Sequence, residues 1–571
     1  MPSQISLFDY YKNTPLFLFC LQSEPEAYAS LPWVWEKAPD YPGASSVRRS
    51  MYRLVVLLLV LVYHSYVSAD LDPRADDAAN CAIIEKFRGC APCAVETKTN
   101  NLLPYQRCSA MRETHLRQGR QTVKLGLIKV ITDLFPGERL KTAYSIQEGV
   151  FCKLTGSLLS EREVRQIGIK LQEWVDSKRP IHLLYKKDGY YHYNVDNTIV
   201  KALYPANINT SMVEPFAIIP FATGFIVSFL AKAKDRTALV LPKKLSATYQ
   251  KSQQWLSNIG LELAGDVNAQ IRAGRSHDLI SIAEALQEKE IADIADMILI
   301  QRRAIRVVLI SGPSSSGKTT FSQRLATQLR VNGLNPKPLS LDNYFVNRTQ
   351  TPLDRDGKYD FESLKALDLK FLQKHLKQLI AGETVETPRF DFVSGCRAAD
   401  TIPMSLGPDE VLIIEGLHAL NPQLTSSVQS STCFKVYIGA LFELNIDPVN
   451  RVPTTEVRLL RRIVRDDRFR GINPEETIER WDSVRRGEYK NIFKFYEEAD
   501  VMFNSSLVYE MNALRTFAES ALHKIRPDSP HYPTKNRLLN LLSFFEPLDL
   551  AKVPFNSILR EFIGESIYHY E

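Results

Sequence analysis

The sequence predicts an α/β protein: an open parallel sheet around a phosphate-binding loop, preceded by a smaller α+β domain. Three observations carry that reading. The run Gly312-Pro313-Ser314-Ser315-Ser316-Gly317-Lys318-Thr319 fits G-x-x-x-x-G-K-[ST] and continues into Thr320. Its flanks are those the motif requires. Ile305–Ile310 reads as a buried strand, and Phe321, Leu325 and Leu329 mark one face of a helix that Gly333 ends. Further apolar runs at Val411–Ile414, Phe434–Ile438 and Val501–Phe503 supply more strands of a sheet covered on both faces.

Each part of the loop has a physical task. Glycines let the backbone wrap a phosphate, and successive N–H groups point inward as a nest. The helix N-terminus adds positive potential. Lys318 is placed to reach the β- and γ-phosphates, and the Thr319 hydroxyl to ligate Mg²⁺. The expected ligands are therefore ATP and Mg²⁺.

Composition bounds the rest. A chain of 571 residues holds roughly two to four domains. With 44% hydrophobic and 24% charged residues it can build packed cores. A net charge of +6 is too diffuse to argue for nucleic acid. No DNA partner is expected and RNA is disfavoured; the oligomeric state, a homo-oligomer included, stays open. Of eight cysteines only Cys396 and Cys433 lie in the nucleotide-binding half, which needs no disulfide framework.

In chain order, residues 1–50 mix aromatics and prolines without a period and are expected to be a poorly ordered extension. Segment 51–70 resembles a secretory signal peptide: arginines at 48, 49 and 53, an apolar run Leu54–Tyr63, then Val67-Ser68-Ala69. Met51 as the true start, a buried or interfacial helix, and a leader joined from another gene all stay open. Residues 71–125 hold Cys81, Cys90, Cys93 and Cys108. A zinc site, two disulfides and unpaired thiols stay open there, and no metal is assigned. Residues 1–125 are expected to be dispensable, so that a chain starting near Gly126 folds and turns over ATP. The active protein is expected in the cytoplasm; glycosylation at Asn209-Thr210-Ser211 would overturn that.

Residues 126–295 read as the α+β domain. Ser160 and Glu163 form a capping box, and Val164, Ile167, Leu171 and Trp174 form the stripe of the helix it opens. A second helix, about 278–299, leads into the loop strand. The domain resembles the additional domain beside the editing site of threonyl-tRNA synthetases. That domain's H-x-x-x-H metal pair is missing, and His182 and His192 stand singly. Neither zinc nor editing is therefore expected.

Residues 296–527 carry the chemistry, with 528–571 as a C-terminal extension. Pro338–Leu341 reads as a strand with Asp342 at its carboxyl end, where ligands of open parallel sheets bind. There Asp342 can accept a proton from a hydroxyl attacking the γ-phosphate. A loop-capping aspartate is the plain alternative. A helix is expected at about 362–381, and Pro388–Ser394 follows it in a long insertion suited to an acceptor pocket. Glu415 ends the Val411 strand, as a carboxylate that orients Mg²⁺ through water would. Arg458, Arg461, Arg462 and Arg465 recur on one helical face, with Arg468 and Arg470 beyond. Such a face repels itself unless an anion meets it, and a mobile arginine lid over ATP is the expectation. An RNA-binding surface is the rival reading.

Six successive segments (Gly312–Thr320, Ser340–Phe345, Tyr359–Glu362, Pro388–Arg397, Asp409–Gly416 and Arg458–Gly471) resemble, in order, the motifs of the uridine kinase and phosphoribulokinase family. From about residue 150 the chain is similar to a longer subgroup of uridine kinase-like proteins that carries the synthetase-like domain in front. The resemblance implies a P-loop NTPase sheet of the nucleoside-kinase type. It implies catalytic roles for Asp342, Lys318, Arg465 and Arg470. It places Gly312, Pro313, Ser314, Ser315, Ser316, Gly317, Lys318, Thr319, Thr320 and Arg461 on the nucleotide. Tyr344, Glu362, Phe390 and Arg397 fall to the acceptor, and Thr319 and Glu415 to Mg²⁺.

Three positions depart from the uridine kinase pattern: Glu362 replaces an aspartate on the ribose, Phe390 a tyrosine against the base, and Gly395 a histidine that reads the pyrimidine. These leave the phosphoryl-transfer residues in place and imply a broader or different acceptor range than a strict pyrimidine kinase. The expected activity is transfer of the γ-phosphate to a small-molecule hydroxyl, foremost the 5′-hydroxyl of a nucleoside. A kinase for another sugar-like alcohol and a nucleotide-gated RNA-binding regulator are the alternatives. The intact Asp342 favours an enzyme, because a sensor needs no base.

Overall fold

The computed structural model describes residues 104–146, 149–229, 242–354, 357–391 and 394–568. The extension 1–50, the signal-like segment and Cys81, Cys90 and Cys93 lie outside the described residues, and of Cys108 only the helical backbone is described.

The front part begins with α1 (Pro104–Leu134), followed by β1 (Leu140–Ile146), β2 (Gly149–Leu154), α2 (Glu161–Asp176), β3 (His182–Lys187), β4 (Tyr190–Val195), β5 (Thr198–Ala202), β6 (Ala217–Phe221) and β7 (Gly224–Ser228). Two antiparallel sheets result, of order β1-β2-β7-β6 and β3-β4-β5. The α2 capping box forms as its sequence predicts: the Ser160 N–H donates to Glu163 at 2.7 Å, and the Glu163 N–H to Ser160 Oγ at 3.3 Å. Val164, Ile167, Leu171 and Trp174 are buried, in one core with Val123, Leu127 and Ile131 of α1. His182 is exposed, while His192 is buried and stacked on Tyr185 at 4.4 Å.

Next come α3 (Lys243–Asn258), α4 (Ala264–Arg272) and α5 (Ser276–Ile300), then β8 (Val307–Ser311), α6 (Lys318–Val331) and β9 (Asn335–Ser340). An insertion follows with α7 (Leu369–Ile380) and the hairpin β10 (Val385–Asp391)–β11 (Cys396–Met404). The sheet resumes with β12 (Glu410–Glu415) and β13 (Cys433–Gly439), then α8 (Thr454–Phe469), α9 (Pro474–Asn491), β14 (Val501–Asn504), α10 (Glu510–His523), α11 (Tyr532–Leu542) and the short α12 (Arg560–Ile563). The five strands pair in parallel in the order β14-β13-β8-β12-β9. Both faces are covered. Val308 and Ile310 of β8 enter one core and Val307 and Leu309 the other, the period-two alternation of a strand buried on both sides. No described helix is long and apolar enough to cross a membrane.

The expected segment boundaries move. The 125/126 division falls inside α1, where Val123, Leu125 and Leu127 share one core, so the expected truncation at 126 cuts a packed helix. The 295/296 division falls inside α5, and Ile280, Ile291 and Ile298 pack with Val308 and Phe321 of the nucleotide half. Leu538, Phe545 and Ile558 of the C-terminal extension join that same core. The helix expected at 362–381 starts only at Leu369, where Asp368 caps the Phe371 N–H at 3.1 Å. Helices that continue through a change in composition leave no mark at the change.

Candidate active site

The sheet brings three strand ends together. In register, Glu415 of β12 lies opposite Ile310 of β8 and Ser340 of β9. The loop after β8, the Asp342 turn after β9 and the Glu415 side chain therefore share one edge, the carboxyl end of a parallel sheet. In the loop Ser315 has φ 59° and Gly317 φ 82°, left-handed positions that turn backbone N–H groups inward. A side chain at Gly312 would run into the Ile438 carbonyl, so only glycine passes β13 there. The Lys318 ammonium donates to the Pro313 carbonyl at 3.2 Å, folded back over the loop it serves.

Ser340 ties the next two residues. Its hydroxyl donates to Glu415 Oε1 at 2.8 Å and accepts the Asp342 N–H at 3.4 Å. Burial raises the Asp342 carboxyl above the usual range, against the pull of Lys318, Arg470 and Arg465. Burial, then the neighbouring Asp342, pushes Glu415 up to about 7. Glu362 is pushed to about 7 by burial and by Glu488, with Arg462, Lys318 and Asp342 also in reach. It is packed against Gly487 of α9, and its Oε2 has no hydrogen-bond partner among the described residues. His418 lies by the backbone of Ser363 and Glu362; burial lowers it to about 4, so it is neutral near pH 7.

The arginine face differs from its expectation. Arg458 pairs with Glu488 and donates to the Ser314 carbonyl at 3.0 Å. Arg461 is fully buried, on Glu510 at 2.6 Å and the Ser315 carbonyl at 3.3 Å. Arg462 donates to Ser314 Oγ at 2.8 Å, and Arg468 stacks on Phe517 at 4.0 Å. Asp466 lies among Arg462, Arg465 and Arg470; despite burial, Arg465 and then Arg462 hold its carboxyl below the usual range. The protein thus supplies the anions that the all-positive face demands. Arg458 and Arg461 brace the loop through its Ser314 and Ser315 carbonyls, and Arg461, expected on the nucleotide, is held by Glu510. Arg465 and Arg470 keep the Asp342 side, and Arg470 is lowered to about 10 by Arg465 and then burial.

Two residues expected on the acceptor, Tyr344 and Arg397, are engaged by the protein itself. Tyr344 is fully buried, its hydroxyl 3.0 Å from His375 Nδ1. Arg397 donates to the Phe345 and Tyr344 carbonyls at 3.1 and 3.2 Å and pairs with Asp368 at 3.2 Å, which locks the hairpin to the Asp342 turn. Both are therefore tied into the support of the Asp342 turn. Phe390 is partly exposed, 5.7 Å from Phe345, and its N–H donates to Asn343 at 3.1 Å. Gly395 has φ 72°, and a side chain there would meet the Arg348 guanidinium at 2.5 Å.

Glu488, Glu510, Asp466 and Ser340 escaped sequence reasoning as site residues. Asp466 alone had a local signal, as an acid in an arginine-rich turn. Glu488 accepts the Ser314 N–H at 2.9 Å from 174 positions away, a distance no motif spans.

The residues fit a magnesium nucleotide. The Asp342 and Glu415 carboxyls lie together at the strand ends, both within reach of Lys318. Among the described residues no group of three or more His, Cys, Asp or Glu forms a closed metal cage. Mg²⁺ needs none, because it keeps waters and takes phosphate oxygens.

A glycine loop between a central parallel strand and its helix, with a carboxylate at the neighbouring strand end, defines a P-loop kinase. The phosphoribulokinase/uridine kinase family profile matches residues 307–510. The uridine kinase of Mycoplasma genitalium is 31% identical over 222 residues, 38% of this chain and 94% of that protein. The uridine kinase of Deinococcus deserti is 27% identical over 31% of this chain and 75% of its own. A solved structure of a possible uridine kinase from Bacillus stearothermophilus aligns at 19% identity and a TM-score of 0.26, over 38% of this chain and all of the other. The chain belongs to the phosphoribulokinase/uridine kinase family.

Proposed function

We propose that the protein transfers the γ-phosphate of ATP to the 5′-hydroxyl of a nucleoside. The observation that carries this is Asp342 at the carboxyl end of β9, set between Lys318, Arg465 and Arg470. The Asp342 carboxylate accepts the hydroxyl proton as the acceptor oxygen bonds to the γ-phosphorus and the bond to ADP breaks. Lys318 and the loop N–H groups hold the phosphates, while Arg465 and Arg470 offset the charge spread over the transferring group. Bound Mg²⁺, held by Thr319 and through water by Glu415, would supply charge neutralisation at the phosphates. Glu362 and Phe390 line the acceptor side.

ADP release measured across nucleosides and sugars, with Asp342→Asn as control, tests the reading. Turnover only with non-nucleoside alcohols would transfer the protein to the sugar-kinase alternative. No turnover with any acceptor, together with nucleotide-dependent RNA binding, would replace the enzyme by the regulator.

A further inference from the structure

The C-terminal segment lies on the nucleotide loop. Ile558, Leu559, Phe562 and Ile563 are buried in the core that holds β8 and α6. Arg560 pins the segment by donating to the Leu550 and Val553 carbonyls at 2.9 and 2.6 Å. A side chain at Gly317 would meet Ile558 at 2.6 Å, and the Arg461 guanidinium sits 5.0 Å over the Phe562 ring. Ile558 therefore packs directly on Gly317 of the loop.

One contact is chemically out of place for a wall. Glu561 Oε2 accepts the Thr320 hydroxyl at 2.8 Å and faces the Thr320 N–H at 3.4 Å. Thr320 sits in the first turn of α6, where N–H groups have no partner within the helix and point at an incoming anion. Lys318 and Thr319 serve the β- and γ-phosphates and the metal. Thr320, one step further into the helix, is left for the phosphate nearest the nucleoside. A carboxylate already holds its donors.

We infer that Glu561 sets nucleotide affinity: it occupies the Thr320 donors that the nucleoside-proximal phosphate takes, and it must withdraw when a nucleotide binds. This rests on reading Gly312–Thr320 as the nucleotide loop. Removing the charge removes the repulsion between carboxylate and phosphate and weakens the hold on the Thr320 donors, because a neutral acceptor bonds them less strongly than a carboxylate. Glu561→Gln keeps the shape and an oxygen acceptor, so the segment stays seated.

The test is calorimetric titration of the full chain with MgADP, beside Lys318→Ala and Glu561→Gln. The expected result is about tenfold tighter MgADP binding by Glu561→Gln, the scale of one charge-assisted contact, with the KM for ATP falling in step. Parental or weaker binding by a folded Glu561→Gln overturns the inference and leaves the loop reading intact. A parent that binds no MgADP, or binds it equally well as Lys318→Ala, overturns the loop reading and this inference with it. Should Glu561→Gln not fold, Glu561→Asp decides: its carboxylate is drawn back by one methylene, and unchanged affinity there also counts against the inference.

Discussion

Asp342 and Lys318 divide the chemistry between a proton and a charge. Asp342→Asn keeps the shape and removes the proton acceptor, so kcat should fall about 10²–10⁴-fold with ATP binding nearly unchanged. Lys318→Ala should weaken ATP binding as well. Steady-state kinetics with nucleotide titration separates the two; parental kcat with weakened ATP binding in Asp342→Asn would make Asp342 a nucleotide or metal ligand. Glu362 adds a pH dependence, because it is pushed up to about 7 while facing Glu488, Arg462, Lys318 and Asp342. Its proton is present below that pH and lost above it. The acceptor KM should therefore change through a step near pH 7 that Glu362→Gln removes. The sign for stability follows from the same proton. A carboxyl raised in the folded state favours folding below its ordinary range, and that advantage is lost as pH rises through about 7.

At the scale of elements, the β10–β11 hairpin limits which side chains can be built on the proposed acceptor side. Gly395→His restores the family's histidine by name. The backbone there is left-handed, and Arg348 occupies the space a side chain needs. The strain of a non-glycine residue in that conformation costs about 1–2 kcal/mol. We expect Gly395→His to lower the melting temperature by a few degrees without a selective gain for uridine; a large gain in uridine kcat/KM would show that Arg348 yields easily. Helix α8 teaches a second lesson. Its arginines recur with perfect helical spacing, yet two of them grip the carbonyls of the loop and are matched by Glu488 and Glu510. A buried charge without such a partner is too costly to keep. The row of like charges was therefore a pointer to acids elsewhere in the chain as much as to a ligand.

For the molecule as a whole, Glu456 of α8 joins three distant segments. It accepts from Arg117 of α1 at 2.8 Å and pairs with Arg537 of α11. Burial opposes its charge, but Arg537 and Arg117 hold its carboxyl down to about 2. This group stabilises the fold above the ordinary glutamate range, and the contribution is lost as pH falls toward 2. Arg117→Ala should cost about 1–3 kcal/mol at neutral pH and less in acid, read by thermal melts at both. A chain starting at residue 126 loses Arg117 and more than two thirds of the 31-residue α1, so it should be insoluble, whereas one starting at residue 104 should fold and turn over ATP. A soluble, active chain from 126 would show that α1 is an accessory to the core.

The sequence by itself determined what short spacing can encode. The loop Gly312–Thr319, the strands around it, the Ser160 capping box and the positions of Asp342 and Glu415 at strand ends were all legible. Each depends on neighbours within a turn of helix or the length of a strand, where periodicity and backbone geometry act directly. Only the tertiary structure decided which groups meet across long separations. Glu488 on Ser314, Glu510 on Arg461, Arg117 on Glu456 and Glu561 on Thr320 are joined by packing, with no local pattern to announce them. The same holds for Tyr344 and Arg397, which the family resemblance gave to the acceptor and whose partners within the fold are His375 and the Phe345 carbonyl. A side chain's role follows from what neutralises or satisfies it once buried, and that is a property of the folded chain.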